Sequence, residues 1–299
     1  MHKSGFINIV GRPNAGKSTL MNALVGERMS IITAKPQTTR HRIIGIVSDD
    51  DYQLVFSDTP GIIVDPAYRM QEVMNRSVHG TFSDADVMLY LIDATEEYTE
   101  DEELVGRMRQ LKDVPVFVVI NKVDAAGQDK ALELARQFQG WLKPTQIIPI
   151  SALKGEGTDT LLQLIKDAVP EGPAYYPKDQ LTDRTERFFV AEIIREKILE
   201  LYHQEIPYAA EVDIEAFKDD VTRDGKELVR ISAMIYVERK TQKPILIGKG
   251  GAAIKQLGTE ARKAIETYLE KKVFLEMHVK VREGWRDDEQ QLKRFGYDR

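Results

Sequence analysis

Short apolar runs alternate with amphipathic stretches through the first half of the 299-residue chain. Residues 6–10, 53–57, 87–92, 116–121 and 146–150 are brief, rich in β-branched side chains and bounded by turn formers, which predicts strands. Residues 17–25, 100–111 and 129–141 carry apolar positions at helical spacing instead. Strand and helix in alternation predict an α/β fold, a mostly parallel sheet with helices on both faces. Ligands of such sheets bind at the carboxyl ends of the strands, and the chain's short polar motifs fall there. The second half has another order: a helix over 186–203, strands over 209–217 and 228–238, a glycine turn at 248–251, a helix over 252–270, a strand over 273–282 and a short terminal helix. That order predicts a smaller α+β domain. Pro173 and Pro177 lie in an aperiodic stretch between the halves, so residues 1–172 and 186–299 are read as domains and 173–185 as a linker.

Composition narrows the chemistry. The chain has no cysteine, which excludes disulfides, thiol catalysis and cysteine-held metals. No apolar run reaches the roughly 20 residues of a membrane span. The first residues enter a strand pattern directly, so no signal peptide is expected and a cytoplasmic location is. The net charge of −6 hides an asymmetry. Residues 1–175 carry the whole deficit, whereas residues 239–282 hold 11 basic and 4 acidic side chains, a local +7.

Gly11-Arg12-Pro13-Asn14-Ala15-Gly16-Lys17-Ser18, followed by Thr19, fits the phosphate-loop pattern between a strand and a helix. Its backbone N–H groups and helix N-terminus suit a triphosphate, Lys17 reaches for the β- and γ-phosphates, and Ser18 is a Mg²⁺ ligand. Asp58-Thr59-Pro60-Gly61 ends a second strand, with Asp58 placed to hold Mg²⁺ and the Gly61 N–H to sense the γ-phosphate. Asn121-Lys122-Val123-Asp124 ends a third. The Asp124 carboxylate accepts two hydrogen bonds from guanine, and adenine, which lacks the exocyclic amine, leaves it unpaired. Ser151-Ala152-Leu153 then offers a backbone N–H to guanine O6. Each motif is weak alone; four in order at successive strand ends predict a site for GTP or GDP.

Between the phosphate loop and Asp58, Thr39 is preferred over Thr38 as the hydroxyl that completes the Mg²⁺ shell. His41 is expected to be a solvated loop residue. Ile62 stands where some GTPases carry a water-orienting glutamine, so slow hydrolysis is expected, resting on Lys17, Thr39, Gly61 and Asn14. Asn14 is a candidate K⁺ ligand, which would supply positive charge against the phosphates.

Ile247-Gly248-Lys249-Gly250-Gly251 and Ile254 contain the Ile-Gly-x-x-Gly-x-x-Ile core of a type II K-homology domain, whose loop admits a nucleic-acid backbone and about four unpaired nucleotides. Arg239, Lys240, Lys243, Lys249, Lys255, Arg262 and Lys263 are candidate phosphate contacts. Ile254, Leu257, Ala261, Ile265 and Tyr268 read as core.

These motifs, with DRTERFFVAEIIREKI at the domain joint and GWRDDEQQLKRFGY near the end, resemble the Era family of bacterial GTPases over nearly the whole chain. The resemblance implies a GTP-controlled protein, expected to be a monomer, that binds the 3′ end of small-subunit ribosomal RNA as a single strand during assembly of that subunit. The alternative is a GTPase signalling protein peripheral to the inner face of the cell membrane, its basic stretch meeting anionic lipid. Against it, the basic residues surround the Gly-x-x-Gly loop and no apolar amphipathic anchor accompanies them.

Overall fold

The computed structural model describes residues 2–222 and 225–297. The chain divides into two compact units, Met1–Asp65 with Val73–Asp183, and Pro66–Glu72 with Arg184–Arg299.

In the first unit, strands β1 (Lys3–Gly11), β2 (Ile43–Ser48), β3 (Tyr52–Asp58), β4 (Val87–Asp93), β5 (Val116–Asn121) and β6 (Gln146–Pro149) form one sheet in the order β2-β3-β1-β4-β5-β6. All neighbours run parallel except β2, which is antiparallel to β3. The helices are α1 (Lys17–Val25), α2 (Arg69–Gly80), α3 (Glu103–Gln110), α4 (Val123–Ala126), α5 (Gln128–Leu142) and α6 (Thr158–Ala168). Every residue of β4 is buried. Helices cover both faces of a central parallel strand, which is why its sequence is a continuous apolar run rather than an alternating one. On one face Tyr90, Ile92, Val118 and Ile120 pack with Leu104, Met108, Leu134 and Phe138 of α3 and α5. The strand order reverses at β1, which opens a crevice at the carboxyl ends. The register sets Ile9 beside Asp58, Gly11 beside Leu91 and Asp93 beside Asn121, so the ends of four strands form a row.

The stretch read as a linker is built into this unit as far as Asp183. Gly172 donates to the His2 carbonyl at 3.0 Å, and the Ser4 hydroxyl to that of Pro173 at 2.7 Å. Gln53, wholly buried in β3, accepts from the N–H groups of Tyr175 and Tyr176 at 2.7 and 2.9 Å. Its amide donates in turn to the Tyr176 carbonyl at 2.9 Å. Further on, Ile46 on the open edge of β2 donates to the Leu181 carbonyl at 2.8 Å. Prolines and missing periodicity reported the absence of a helix or strand there; they carried no information on whether a sheet satisfies the segment's backbone groups.

The second unit runs α7 (Glu186–Leu201), α8 (Ile206–Ala209), β7 (Ala210–Val221), β8 (Glu227–Val237), α9 (Gln242–Ile247), α10 (Ala252–Leu269), β9 (Lys272–Val281) and α11 (Glu289–Arg294). Its sheet has the order β7-β8-β9, the first pair antiparallel and the second parallel. Val190, Ile194 and Ile198 of α7 and Leu257, Ala261 and Ile265 of α10 share a core with Val229, Ile231, Ala233 and Ile235 of β8. Trp285 is wholly buried, and its indole N–H donates to the Ala209 carbonyl at 3.1 Å. The Pro66–Glu72 segment packs here as well: Arg69 and Met70 donate their N–H groups to the Asp287 carboxylate and the Arg286 carbonyl, both at 2.9 Å. The chain therefore enters this unit at Pro66, five residues beyond Gly61.

Candidate functional sites

The Gly11–Ser18 loop joins β1 to α1 and folds around Lys17. That side chain is 6% exposed, and its ammonium donates to the carbonyls of Gly11 and Arg12 at 3.0 and 2.8 Å. Burial lowers its pKa to about 8 despite the opposing charge of Asp58. An ammonium so disfavoured has the most to gain from an anionic phosphate. One residue on, the Ser18 hydroxyl lies 2.7 Å from the Asp58 carboxylate and 2.8 Å from the Thr39 hydroxyl. Thr38 points elsewhere, donating to the Lys35 carbonyl at 2.6 Å. The fold thus brings Thr39 to Ser18 and Asp58. Asp58 is wholly buried, burial pushes its pKa up, and its Oδ1 has no hydrogen-bond partner. Two hydroxyls around a buried carboxylate with an orphaned oxygen form a hard-oxygen donor set that fits Mg²⁺.

Thr59 anchors the next stretch by donating to the Ile9 carbonyl at 2.8 Å. Gly61 lies so close to the phosphate loop that a Cβ on it would meet the Pro13 backbone at 2.9 Å. Ile62 packs against the apolar cluster of β4 and β5. The Asn75 amide clamps Ile63, accepting from its N–H at 3.0 Å and donating to its carbonyl at 2.9 Å. Asn14 adopts a left-handed backbone with φ of 61°, and its amide donates to the Ala34 carbonyl at 3.3 Å. His41 departs from its expected place: it is 6% exposed, because the residues directly before β2 share that strand's burial.

On the base side, Asn121 joins three motifs. It donates to the Ala15 carbonyl of the phosphate loop and accepts from the Ala152 N–H, each at 2.9 Å. Lys122 is held by Asp93 at 2.5 Å, and the Asp124 carboxylate lies 3.8 Å from the Lys154 ammonium. A cavity of about 980 Å³ spans the region, lined by Arg12, Pro13, Asn14, Gly16, Lys17, Ser18, Thr19, Thr39, Thr59, Gly61, Ile62, Lys122 and Leu153. Gly11, Ala15, Asp58, Pro60, Asn121, Val123, Asp124, Ser151 and Ala152 stand outside that lining and act, where the contacts show it, by tying the loops together.

In the second unit Tyr202 donates to the Leu246 carbonyl at 2.8 Å and fixes the end of α9 before the Gly248–Gly251 turn. A second cavity of about 340 Å³ lies between α10 and β9, lined by Ile254, Lys255, Gly258, Thr259, Arg262, Leu275 and Met277. The fold thus gathers Ile254, Lys255 and Arg262, whereas Arg239, Lys240, Lys243 and Lys263 lie outside the cleft, Lys240 and Lys263 beside Glu283 and Glu260. Leu257, Ala261 and Ile265 are fully buried. The reading from sequence missed Gly258, Thr259, Leu275 and Met277, whose types carry no site signature. It also missed Asp93, Glu96, Tyr98 and Glu102, although an acidic run directly after a buried strand marked that loop.

Two families match the chain: one described as 50S ribosome-binding GTPase over residues 6–122, and the KH domain over 205–286. GTPase Era of Lactobacillus delbrueckii subsp. bulgaricus is 45% identical over 298 residues, which cover 100% of this chain and 97% of the relative. The chain belongs to the Era GTPase family. GTPase Era of Syntrophus aciditrophicus is 44% identical over 299 residues, with 100% and 96% covered. Among solved structures, an Era in complex with MgGDPNP and nucleotides 1506–1542 of 16S ribosomal RNA superposes with a TM-score of 0.93 at 38% identity, covering 99% of both chains. A variant of Aquifex aeolicus Era bound to GDP·AlF4⁻ gives 0.91 at 38% identity, again over 99% of each. As an Era-family protein, this chain is a GTPase with a carboxy-terminal K-homology domain.

Proposed function

We propose that GTP acts in this protein as a timer on an RNA-binding event, with single-stranded 3′-terminal 16S ribosomal RNA as the ligand and assembly of the small ribosomal subunit in the cytoplasm as the setting. The observation that carries the RNA reading is the cleft between α10 and β9: apolar at Ile254, Leu275 and Met277, cationic at Lys255 and Arg262, and beginning three residues after the Gly248–Gly251 turn. Apolar walls accept unstacked bases, and the flanking cations meet phosphate. The solved Era that holds 16S ribosomal RNA shares this fold along its length.

In the nucleotide site, Ser18, Thr39 and Asp58 hold Mg²⁺, which neutralises charge on the β- and γ-phosphates when bound. Lys17 turns from the Gly11 and Arg12 carbonyls to the phosphates, and the Gly61 N–H faces the γ-phosphate. Asp124 and the Ser151–Leu153 loop read guanine. The Asn14 amide oxygen would be the ligand for a K⁺ ion, which would supply positive charge against the phosphates. Ile62 is packed into the core cluster and orients no water, which keeps hydrolysis slow. Thr39 and Gly61 grip only the triphosphate state, and the Gly61 stretch continues within five residues into the unit that carries the cleft. That continuity supports coupling of nucleotide to RNA.

Binding of the full chain to a single-stranded 3′-terminal 16S RNA fragment is to be measured with GTP analogue, with GDP and without nucleotide, beside Gly250→Asp. Gly250 has φ of 60° and open space around it, so an aspartate, which tolerates that conformation, adds charge without unfolding the loop. Loss of binding in the variant and tighter binding with the GTP analogue are expected. Equal affinity in all three nucleotide states sinks the timer, and no RNA binding by the native chain sinks the RNA reading. Turnover equal in KCl and NaCl rejects the K⁺ assignment.

A further inference from the structure

The β4–α3 loop, residues 94–102, belongs to none of the nucleotide motifs, yet it holds the phosphate loop. The Arg12 guanidinium makes a two-pronged bond to Glu102, Nε at 3.1 Å and Nη2 at 2.7 Å, and Nη1 reaches Glu96 at 2.9 Å. Its Cζ lies over the Tyr98 ring, 4.1 Å from the ring centre. Tyr98 is 7% exposed, rests edge-on against Phe138, and its hydroxyl accepts the Asp93 N–H at 2.7 Å. Glu102 is held in turn by the Thr99 N–H at 2.9 Å. Burial disfavours the Arg12 charge, but the bonds to Glu102 and Glu96 win, and its pKa stands above the ordinary arginine value. At the end of β4, directly before this loop, Asp93 takes the Lys122 ammonium.

What this collar grips matters because of what Arg12 is joined to. Its carbonyl receives Lys17 at 2.8 Å. Pro13 follows, and Gly61 is pressed against the Pro13 backbone. Asn14 comes next, a non-glycine held at φ of 61°, a conformation that persists only where its surroundings fix it. The Arg-Pro-Asn crest of the phosphate loop is thus anchored from outside through the Arg12 side chain, and displacement there shifts Lys17, Asn14 and Gly61 together.

We propose that Glu102, with Glu96 and Tyr98, is a positioning residue for GTP hydrolysis: acting through Arg12, it sets the crest of the phosphate loop and with it Gly61, the γ-phosphate sensor. The assignment concerns hydrolysis alone and does not depend on which RNA the second unit binds. Since the collar acts on the γ-phosphate side and not on the base, kcat is expected to fall while base selectivity stays.

The test is a cycle of Arg12→Ala, Glu102→Ala and their double variant in the full chain, with Glu102→Gln as the least disruptive change. Read kcat, KM, GDP affinity, the preference for GTP over ITP, and Tm. Each single change is expected to lower kcat about tenfold, the scale of one lost charge-assisted contact. The double variant should be no worse than either single one, as for two residues in one linkage. GDP affinity should move less than threefold, and the GTP-over-ITP preference should not move. Arg12→Lys should fail to rescue, since an ammonium reproduces neither the two-pronged bond nor the stacking. Losses that multiply in the double variant overturn the proposal. So does an unchanged kcat, or a parallel fall in Tm, GDP affinity and base preference, which would mark a merely structural role.

Discussion

Asn121→Ala perturbs a side chain that ties phosphate loop, base motif and Ser151 loop together. It deletes two hydrogen bonds of 2.9 Å, one to the Ala15 carbonyl and one from the Ala152 N–H. Both partners are buried, Ala15 at 1% and Ala152 at 5% exposed, so water does not replace the amide. Each of the two bonds is worth about 1 kcal/mol net and each orphaned buried partner costs about as much again, for a total of roughly 4 kcal/mol. Part of this appears as lost stability. The rest appears when nucleotide binds, because both loops must then be held in register without the tie. A share of about 2 kcal/mol in binding corresponds to roughly thirtyfold weaker GDP. Stopped-flow displacement of a fluorescent GDP analogue reads this as a faster off-rate, and urea unfolding of the nucleotide-free chain reads the remainder. The preference for GTP over ITP should hold, since Asp124 is untouched. A GDP affinity within threefold of native together with less than about 1 kcal/mol lost in stability would refute the reasoning.

Asp124→Asn should weaken GTP about a hundredfold and improve xanthosine triphosphate, because an amide complements the carbonyl that xanthine carries in place of the amine; competition binding with both nucleotides checks it. Gly61→Ala forces a Cβ to within 2.9 Å of the Pro13 backbone, so the loop must shift. Single-turnover hydrolysis is expected to drop about a hundredfold, as for loss of one oriented backbone donor, with GDP affinity nearly unchanged. Gln53→Ala removes the bonds to Tyr175 and Tyr176. It should cost about 2–3 kcal/mol in urea unfolding and leave kcat alone.

The sheet was legible because its central strands are continuous apolar runs and its motifs sit at their ends. Strand β2 escaped, since Gly45 interrupts a run that directly follows a charged stretch. Residues 173–185 were read as a linker, although the stretch to Asp183 belongs to the first unit, because proline and aperiodicity speak to local conformation only. At the candidate nucleotide site the sequence singled out Ser18, Asp58, Asn121 and Asp124, because one chemistry demands those types at fixed strand ends, and the fold brings Ser18 to Asp58 and Asn121 to the phosphate loop. Glu96, Tyr98 and Glu102 were not singled out, for they meet Arg12 only once the β4–α3 loop is folded against the phosphate loop. In the second unit the Gly248–Gly251 turn announced itself, but the opposite wall of the cleft, Leu275 and Met277, looked like any strand interior. Alternation places a side chain on a face and says nothing of what that face meets.

The Ile46–Leu181 hydrogen bond has a consequence for cutting the protein apart. Strand β2 is the outermost of its sheet, and an uncovered edge strand is a template for pairing with another molecule. A GTPase fragment ended at Gly172 strips that cover and strands the Gln53 amide, and it should self-associate on size-exclusion chromatography. One ended at Asp183 keeps both and should elute as a monomer. On the carboxyl-terminal side of the sheet the seam therefore lies after Asp183, and any dissection that follows the prolines instead would mistake an exposed edge for a weak domain.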